Sequence, residues 1–293
     1  MAKDVLIQMK AKDGGISGKK DSSSPSKKDP WNYWVCKISV NGSINADKVY
    51  KSYSLSGNFS VNRITEELKT GFEINGEKNK STFEYDDGNG NMEKFINKNN
   101  SYNLSHNLRK SINDHWSWGY EVGFSREPFS NNNRRSLFRT GFEYNIFPYK
   151  QVNTKRFTIS YLADVRRNVY IDTTLYDKNK ETLLGHGVET NLSFNQKWDT
   201  VSFGTEYHNY LHTWKLLNLE VNCEVDIRIT GGLSFNVYSS AELIRDQLYL
   251  PKEAATPQEV LTRRCQLASG YAFYTYFGIS YRFGSKLNNF VNP

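Results

Sequence analysis

The chain has 293 residues, a net charge of +7, 38% hydrophobic residues and 14% aromatic residues. That length suits one large β domain or two small ones, and no run approaches the roughly 20 apolar residues that a membrane helix needs. The basic balance comes without a recognisable nucleic-acid module, which excludes nucleic acid as an expected partner. The three cysteines, Cys36, Cys223 and Cys265, are scattered and define neither a disulfide framework nor a metal site.

Residues 1–30 read as a disordered basic tail. The stretch up to Lys28 is built of Lys, Ser, Gly and Asp and has no apolar core of signal-peptide length. From Trp31 onward the sequence alternates with a period of two, the signature of strands with two different faces.

Strand 1, residues 33–44, sets Trp34, Cys36, Ile38 and Val40 against Lys37, Ser39 and Asn41. Strand 2 sets Tyr53, Leu55, Phe59 and Val61 against small polar residues. Strand 3 sets Phe72 and Ile74 against Lys69 and Glu73, and the weaker strand 4 sets Leu104, His106 and Leu108 against Arg109. In strand 5, Trp116, Trp118, Tyr120, Val122 and Phe124 oppose Ser117, Gly119, Glu121 and Gly123. Strand 6 opposes Phe138, Phe142 and Tyr144 to Arg139 and Glu143, and strand 7 opposes Phe157, Ile159 and Tyr161 to Asp164 and Arg166. Strands 8 and 9 place Glu189, Glu206 and His208 opposite Leu192, Phe203 and Tyr207. Strand 10 is the cleanest, with Leu217 to Ile227 alternating with Asn218, Glu220, Asn222, Glu224, Asp226 and Arg228. Strand 11 carries Glu242. Strand 12, residues 271–283, alternates Tyr271, Phe273, Phe277, Ile279, Tyr281 and Phe283 with Tyr274, Tyr276, Gly278, Ser280 and Arg282.

The pattern predicts an all-β fold: an antiparallel up-and-down transmembrane β-barrel of about 12 strands over residues 31–293, with lipid outside and a wet lumen inside. Strand 12 is expected to close the barrel by pairing with strand 1. Turns are mostly tight on one rim. On the other rim residues 86–100, 128–135, 172–185 and 247–269 read as long loops, as expected when both termini lie on the periplasmic side. In the largest loop, Thr256-Pro257-Gln258-Glu259 is a capping box that starts a short helix over Val260 to Leu267.

The inner face gathers Lys37, Lys69, Arg109, Arg139, Arg166, Arg228 and Arg282 against Glu73, Glu121, Glu143, Asp164, Glu189, Glu206, Glu220, Glu224, Asp226 and Glu242. Either these line a selective pore or ligand site, or they form ion pairs that prop a narrow lumen. Trp31, Tyr33, Trp34, Trp116, Trp118, Phe147, Tyr149 and Trp198 cluster towards the short-turn rim, where such rings form a girdle at the headgroups. Asp87-Gly88-Asn89-Gly90-Asn91 starts like a calcium loop, but Met92 replaces the required glycine and Lys98 the closing acid. No cofactor or metal is expected. The five histidines, among them His106, His208 and His212, form no catalytic constellation. The expected function is therefore non-enzymatic, a narrow channel or partner-binding barrel. A membrane-embedded lipid hydrolase built on an outward Ser–His pair and a structural or assembly subunit are the alternatives.

Trp31-Asn32-Tyr33-Trp34, then Tyr144-Asn145-Ile146-Phe147-Pro148-Tyr149, Arg245-Asp246-Gln247-Leu248-Tyr249-Leu250-Pro251, Phe283-Gly284-Ser285 and the closing Asn288-Asn289-Phe290-Val291-Asn292-Pro293 occur in that order. Together they resemble a family of poorly characterised outer-membrane β-barrel proteins of Bacteroidota. The resemblance implies an outer-membrane location and no known activity. Outer-membrane lipid, the barrel-insertion machinery during assembly and a protein partner are the expected partners. Family members usually carry a signal peptide and end in Arg-Phe, and neither feature is present in the sequence as written.

Overall fold

The computed structural model describes residues 29–86, 90–196, 199–230, 232–253 and 268–284. The basic tail to residue 28, most of the calcium-loop-like segment, Trp198, the capping box with its helix, Cys265 and residues 285–293 lie outside them.

Twelve strands follow one another in chain order. They are β1 (Trp34–Ala46), β2 (Tyr50–Ile64), β3 (Leu68–Asp86), β4 (Met92–Ser111), β5 (Trp116–Glu127), β6 (Asn132–Asn145), β7 (Lys155–Tyr170), β8 (Lys180–Asn195), β9 (Asp199–Tyr210), β10 (Leu217–Thr230), β11 (Leu233–Ile244) and β12 (Tyr271–Tyr281). They form a single sheet in the order β1 to β12, every neighbouring pair antiparallel, which is the up-and-down topology the alternation predicts. No described helix is long and apolar enough to cross a membrane.

The register places the alternating charged residues on one common face. Lys37 lies opposite Ser60 on β2, Ser60 opposite Glu73, and Glu73 opposite Ser105. Glu121 faces Arg139 and Arg139 faces Asp164. That face is concave. Arg139 on β6 reaches Glu206 on β9 at 3.7 Å, although three strand spacings on a flat sheet span about 14 Å. The opposite, convex face presents Phe72, Phe124, Phe138, Phe142, Ile159, Tyr161 and Phe203, all exposed.

Glycines set the tightest part of the curl. Gly119 on β5 lies directly opposite Gly141 on β6. A Cβ on Gly141 would sit 2.1 Å from the Tyr161 carbonyl oxygen, and one on Gly119 would sit 2.7 Å from that of Leu108. Neighbouring backbones come this close only where no side chain intervenes, as at a corner of a curved sheet.

Two expectations need correction. Among the described residues β1 pairs only with β2 and β12 only with β11, so the ladder expected to close the barrel is not formed. Almost every residue of these two strands is exposed on both faces, as befits the free edges of an open seam. Residues 86–100 are also not a long loop. Strands β3 and β4 stay paired from Glu77–Ser101 up to Asp86–Met92, beyond the last β4–β5 pair at Tyr102–Arg126. Alternation fades there because Lys, Asn and Glu occupy both faces, while the backbone ladder needs no apolar face. Cross-strand contacts hold this projecting hairpin. Tyr50 and Phe83 pack at 4.8 Å between ring centres and Phe83 and Phe95 at 6.3 Å, and Glu84 lies between Lys51 and Lys94 at 3.6 and 3.3 Å.

Candidate functional site

The concave face carries three linked features. The first is a band of ion pairs across the wall. Arg109 on β4 passes the Gly119–Gly141 corner to meet Glu143 on β6 at 3.1 Å. Arg139 meets Glu189 at 3.2 Å as well as Glu206. A cavity of about 310 Å³ lies here, lined by Lys69, Arg109, Glu121, Arg139, Glu143 and Glu189 among others. Glu189, Glu206, Glu220 and Glu242 stand directly opposite one another on β8, β9, β10 and β11. Like charges so placed repel. Arg139 offsets the first two, and the Asn218 amide donates to Glu242 at 2.7 Å.

The second feature is a buried brace. Arg166 Nε donates to Asp164 Oδ1 at 2.7 Å, and His208 Nε2 donates to Asp164 Oδ2 at 2.8 Å. The Asp164 side chain is 1% exposed, so it serves both partners with its two oxygens out of bulk water. The Arg166 guanidinium also stacks near the Tyr210 ring, 5.8 Å from its centre.

The third feature is a strap. After β11 the chain does not stay on its own side. Residues 246–252 cross to the β7–β8 loop, where Leu175 N donates to the Leu250 carbonyl (2.9 Å), Lys252 N donates to the Thr173 carbonyl (2.8 Å), and Thr174 and Pro251 form an isolated bridge. Lys252 and Asp177 form an ion pair. Leu248 turns inward onto Leu183, Tyr210 and Leu216, a small apolar cluster within the curl. Asn131, in the β5–β6 turn, ties the loops together. Its amide donates to the carbonyls of Asp172 and Tyr249, both at 2.9 Å, and its Oδ1 accepts from Asp172 N at 2.8 Å. It sits at φ 55°, in the left-handed region that asparagine tolerates better than most residues. Asn131→Ala leaves two carbonyls and one amide, in part-buried hydrogen bonds, without these partners and removes a residue suited to the left-handed turn. Limited trypsinolysis of the folded protein should then cut at Arg245 or Lys252 at least about tenfold faster, since a cost of about 1.4 kcal/mol per tenfold is within reach of the lost part-buried hydrogen bonds. An unchanged digestion pattern would show that Asn131 does not hold the strap.

Several expected site residues stand apart. Lys37, Lys69, Glu220, Glu224, Asp226, Arg228 and Arg282 lie on the concave face with no ion pair among the described residues, and Glu73 accepts from Asn58 and Asn75 at 3.0 Å. In the girdle, Trp31, Tyr33, Trp34, Trp116 and Trp118 are exposed. Phe147 packs against Phe194 at 6.4 Å with Lys155 over its ring at 4.6 Å. Tyr149 departs from the girdle. Its hydroxyl is buried, and burial among Ser117, Glu143 and Arg109 pushes its pKa up, so it belongs to the concave side. The Phe147-Pro148 step at the turn redirects the chain, which alternation alone does not reveal. Asp29 caps the entry to β1 by accepting from the amides of Trp31 and Tyr33 at 3.0 and 2.7 Å, and these bonds hold its carboxyl below the usual range.

His106 has Thr70 Oγ1 at 3.4 Å as its hydroxyl neighbour, and His186 has the Tyr161 hydroxyl at the same distance. Among the described residues no three His, Cys, Asp or Glu side chains are grouped to hold a metal. The alternation did not single out Arg135, Asn168, Tyr170, Tyr210 and Asp246, all of which line a cavity beneath the strap. In the sequence this region is marked by the run Arg245 to Pro251, which carries the family resemblance but no chemical motif.

No protein-family model matches the chain, and no curated protein matches it. Among solved structures the chain is similar to a NanC porin, at 12% identity over 85% of this chain and 99% of the other, with a TM-score of 0.38. It is also similar to the translocator domain of the autotransporter NalP from Neisseria meningitidis, at 12% identity over 85% and 87%, TM-score 0.34. A bacterial polysaccharide outer-membrane secretin matches at 11% identity over 86% and 91%, TM-score 0.37.

Proposed function

We propose that the protein is an integral outer-membrane β-barrel without enzymatic activity. On this reading its narrow, charged lumen is partly closed at one mouth by the strap, and it acts as a restricted channel or as a partner-binding barrel. The observation that carries the reading is the two-faced wall, with exposed Phe, Ile and Tyr side chains on the convex face and ion pairs on the concave face. A soluble sheet covers such an apolar face with a second layer, whereas lipid covers that of a membrane barrel. Trp34, Trp116, Trp118 and Phe147, near the short turns, suit the headgroup zone. Outer-membrane lipid is then the partner of the convex face and the barrel-insertion machinery the partner in assembly. Membership of the Bacteroidota family belongs to the same reading.

The full chain refolded in detergent should migrate faster on a gel before boiling than after. Co-migration of the two samples would overturn the barrel. In planar bilayers the refolded protein should give small conductance steps that grow in Asn131→Ala, in which the strap is released. Silence of both proteins towards salts and small solutes would remove the channel and leave the partner-binding barrel.

A further inference from the structure

The cavity beneath the strap has a volume of about 250 Å³, near the lower limit of small-molecule sites. Its walls come from β6, β7, β9, β10 and β11, and the strap roofs it. Arg135, half-buried, reaches it from β6; among the described residues it forms no ion pair or hydrogen bond, Glu127 acts on it only at longer range, and its Nε is shielded from solvent. Arg166 shares the cavity, and its bond to Asp164 occupies only Nε. Asn168 is 4% exposed. Its amide group donates to the Tyr170 hydroxyl at 3.3 Å, while its Oδ1 has no partner among the described residues. On the facing side Glu242 and Asp246 accept from the Asn218 amide at 2.7 and 3.5 Å.

Arg135 is half-buried, and the shielded Nε of its guanidinium gives up hydration without gaining an acceptor among the described residues. A buried amide oxygen without a donor adds to that cost. Two orphans of opposite polarity in one cavity amount to an acceptor and a donor missing from the same place. A guanidinium fork matches a carboxylate or a phosphate. Glu242 and Asp246 decide between them, because two acids in the same cavity repel a dianion but pair with hydroxyl or ammonium donors. Burial pushes the Tyr249 phenol up, so the roof keeps a neutral hydroxyl. We propose that this cavity binds a small solute that carries a single carboxylate together with hydroxyl or ammonium donors. Arg135 takes the carboxylate, while Asn168 Oδ1, Glu242 and Asp246 take the donors. This goes beyond the channel reading and holds whether or not the lumen conducts.

The test is calorimetric titration of the full chain, refolded in detergent and checked for the heat-dependent gel shift, with D-gluconate as the probe. The gel shift tells failure of the barrel apart from failure of the site. Gluconate should bind saturably, with glucose (no carboxylate) and inorganic phosphate (no donors beyond its own, higher charge) at least about tenfold weaker. Arg135→Gln should weaken gluconate binding at least about tenfold, as expected for losing a charge-assisted pair. The same variant should unfold in urea at an unchanged or higher midpoint, because it removes a half-buried charge that has no ion pair or hydrogen bond among the described residues. The site is overturned by absence of saturable gluconate binding, by equal binding of phosphate or glucose, or by unchanged binding in Arg135→Gln. A lowered unfolding midpoint in Arg135→Gln would overturn it too, because Arg135 would then be a structural brace.

Discussion

Asp164→Ala should destabilise the folded protein by about 3–5 kcal/mol, the range for breaking a buried charge pair from one side. The reason lies in what stays behind. Arg166 would keep its charge with 17% of its side chain exposed and would lose the acceptor of its Nε. His208 would lose its hydrogen bond to Asp164, while its Nδ1 is already buried without a partner among the described residues. Arg166 on β7 and His208 on β9 converge on Asp164 across the intervening β8, so both lose their acceptor at once. His208→Ala should cost less, since the Arg166–Asp164 pair survives. Urea unfolding in detergent, followed by tryptophan fluorescence or by the gel shift, reads both. An Asp164→Ala protein with the wild-type midpoint would show that the cluster braces nothing.

Gly141→Ala should be the other severe single change. Its new Cβ meets the Tyr161 carbonyl oxygen at 2.1 Å, Leu162 Cδ2 at 2.7 Å and Leu162 Cα at 3.0 Å. A side-chain methyl can move aside, but a ladder carbonyl and an α-carbon move only with their strand. Overpacking a well-fitted site costs about 1–3 kcal/mol, and here it falls on backbone, so the upper end applies. The corner also gives Arg109 its path to Glu143, so the ion pair should weaken together with the curl. Gly76→Ala is the matched control. It lies in β3 with nothing within 4 Å of the added carbon, and it should be neutral or gain about 0.4–1 kcal/mol through the unfolded chain. Equal midpoints for the two variants would remove the corner as the origin of the curvature.

The number of strands and the assignment of faces were legible because a wall between two different surroundings alternates with every residue. Arg139, Glu143, Asp164, Arg166, Glu189 and Glu206 could be placed on one face from sequence alone. Partners could not, because pairing across two or three strands depends on curvature. That curvature depends on inward glycines, which resemble any other small inward residue. Alternation also misled where an inward residue was apolar. Leu183 points in towards Tyr210 and Leu248, and next to Leu184 it reads as a break, so the start of β8 was expected several residues late. The hairpin of β3 and β4 was missed for the converse reason, since polar residues on both faces of a ladder leave no period to find. The strap was visible only as a long connection. Its course is written in contacts with Asn131 and Thr174, more than 70 residues upstream in the chain.

The open seam has a consequence for the molecule's cysteines. With an even number of strands, β1 and β12 run in opposite directions, so any ladder that joins them is antiparallel. Slips by an odd number of residues would turn the aromatic side of one strand towards the charged side of the other. Full overlap of the two edges sets Lys37 opposite Ser280, Ile38 opposite Ile279 and Cys36 opposite Tyr281. The Cys36 thiol is free and exposed. Its position makes it a built-in reporter of parity, since a second thiol on β12 would crosslink to it only at outward positions, two residues apart.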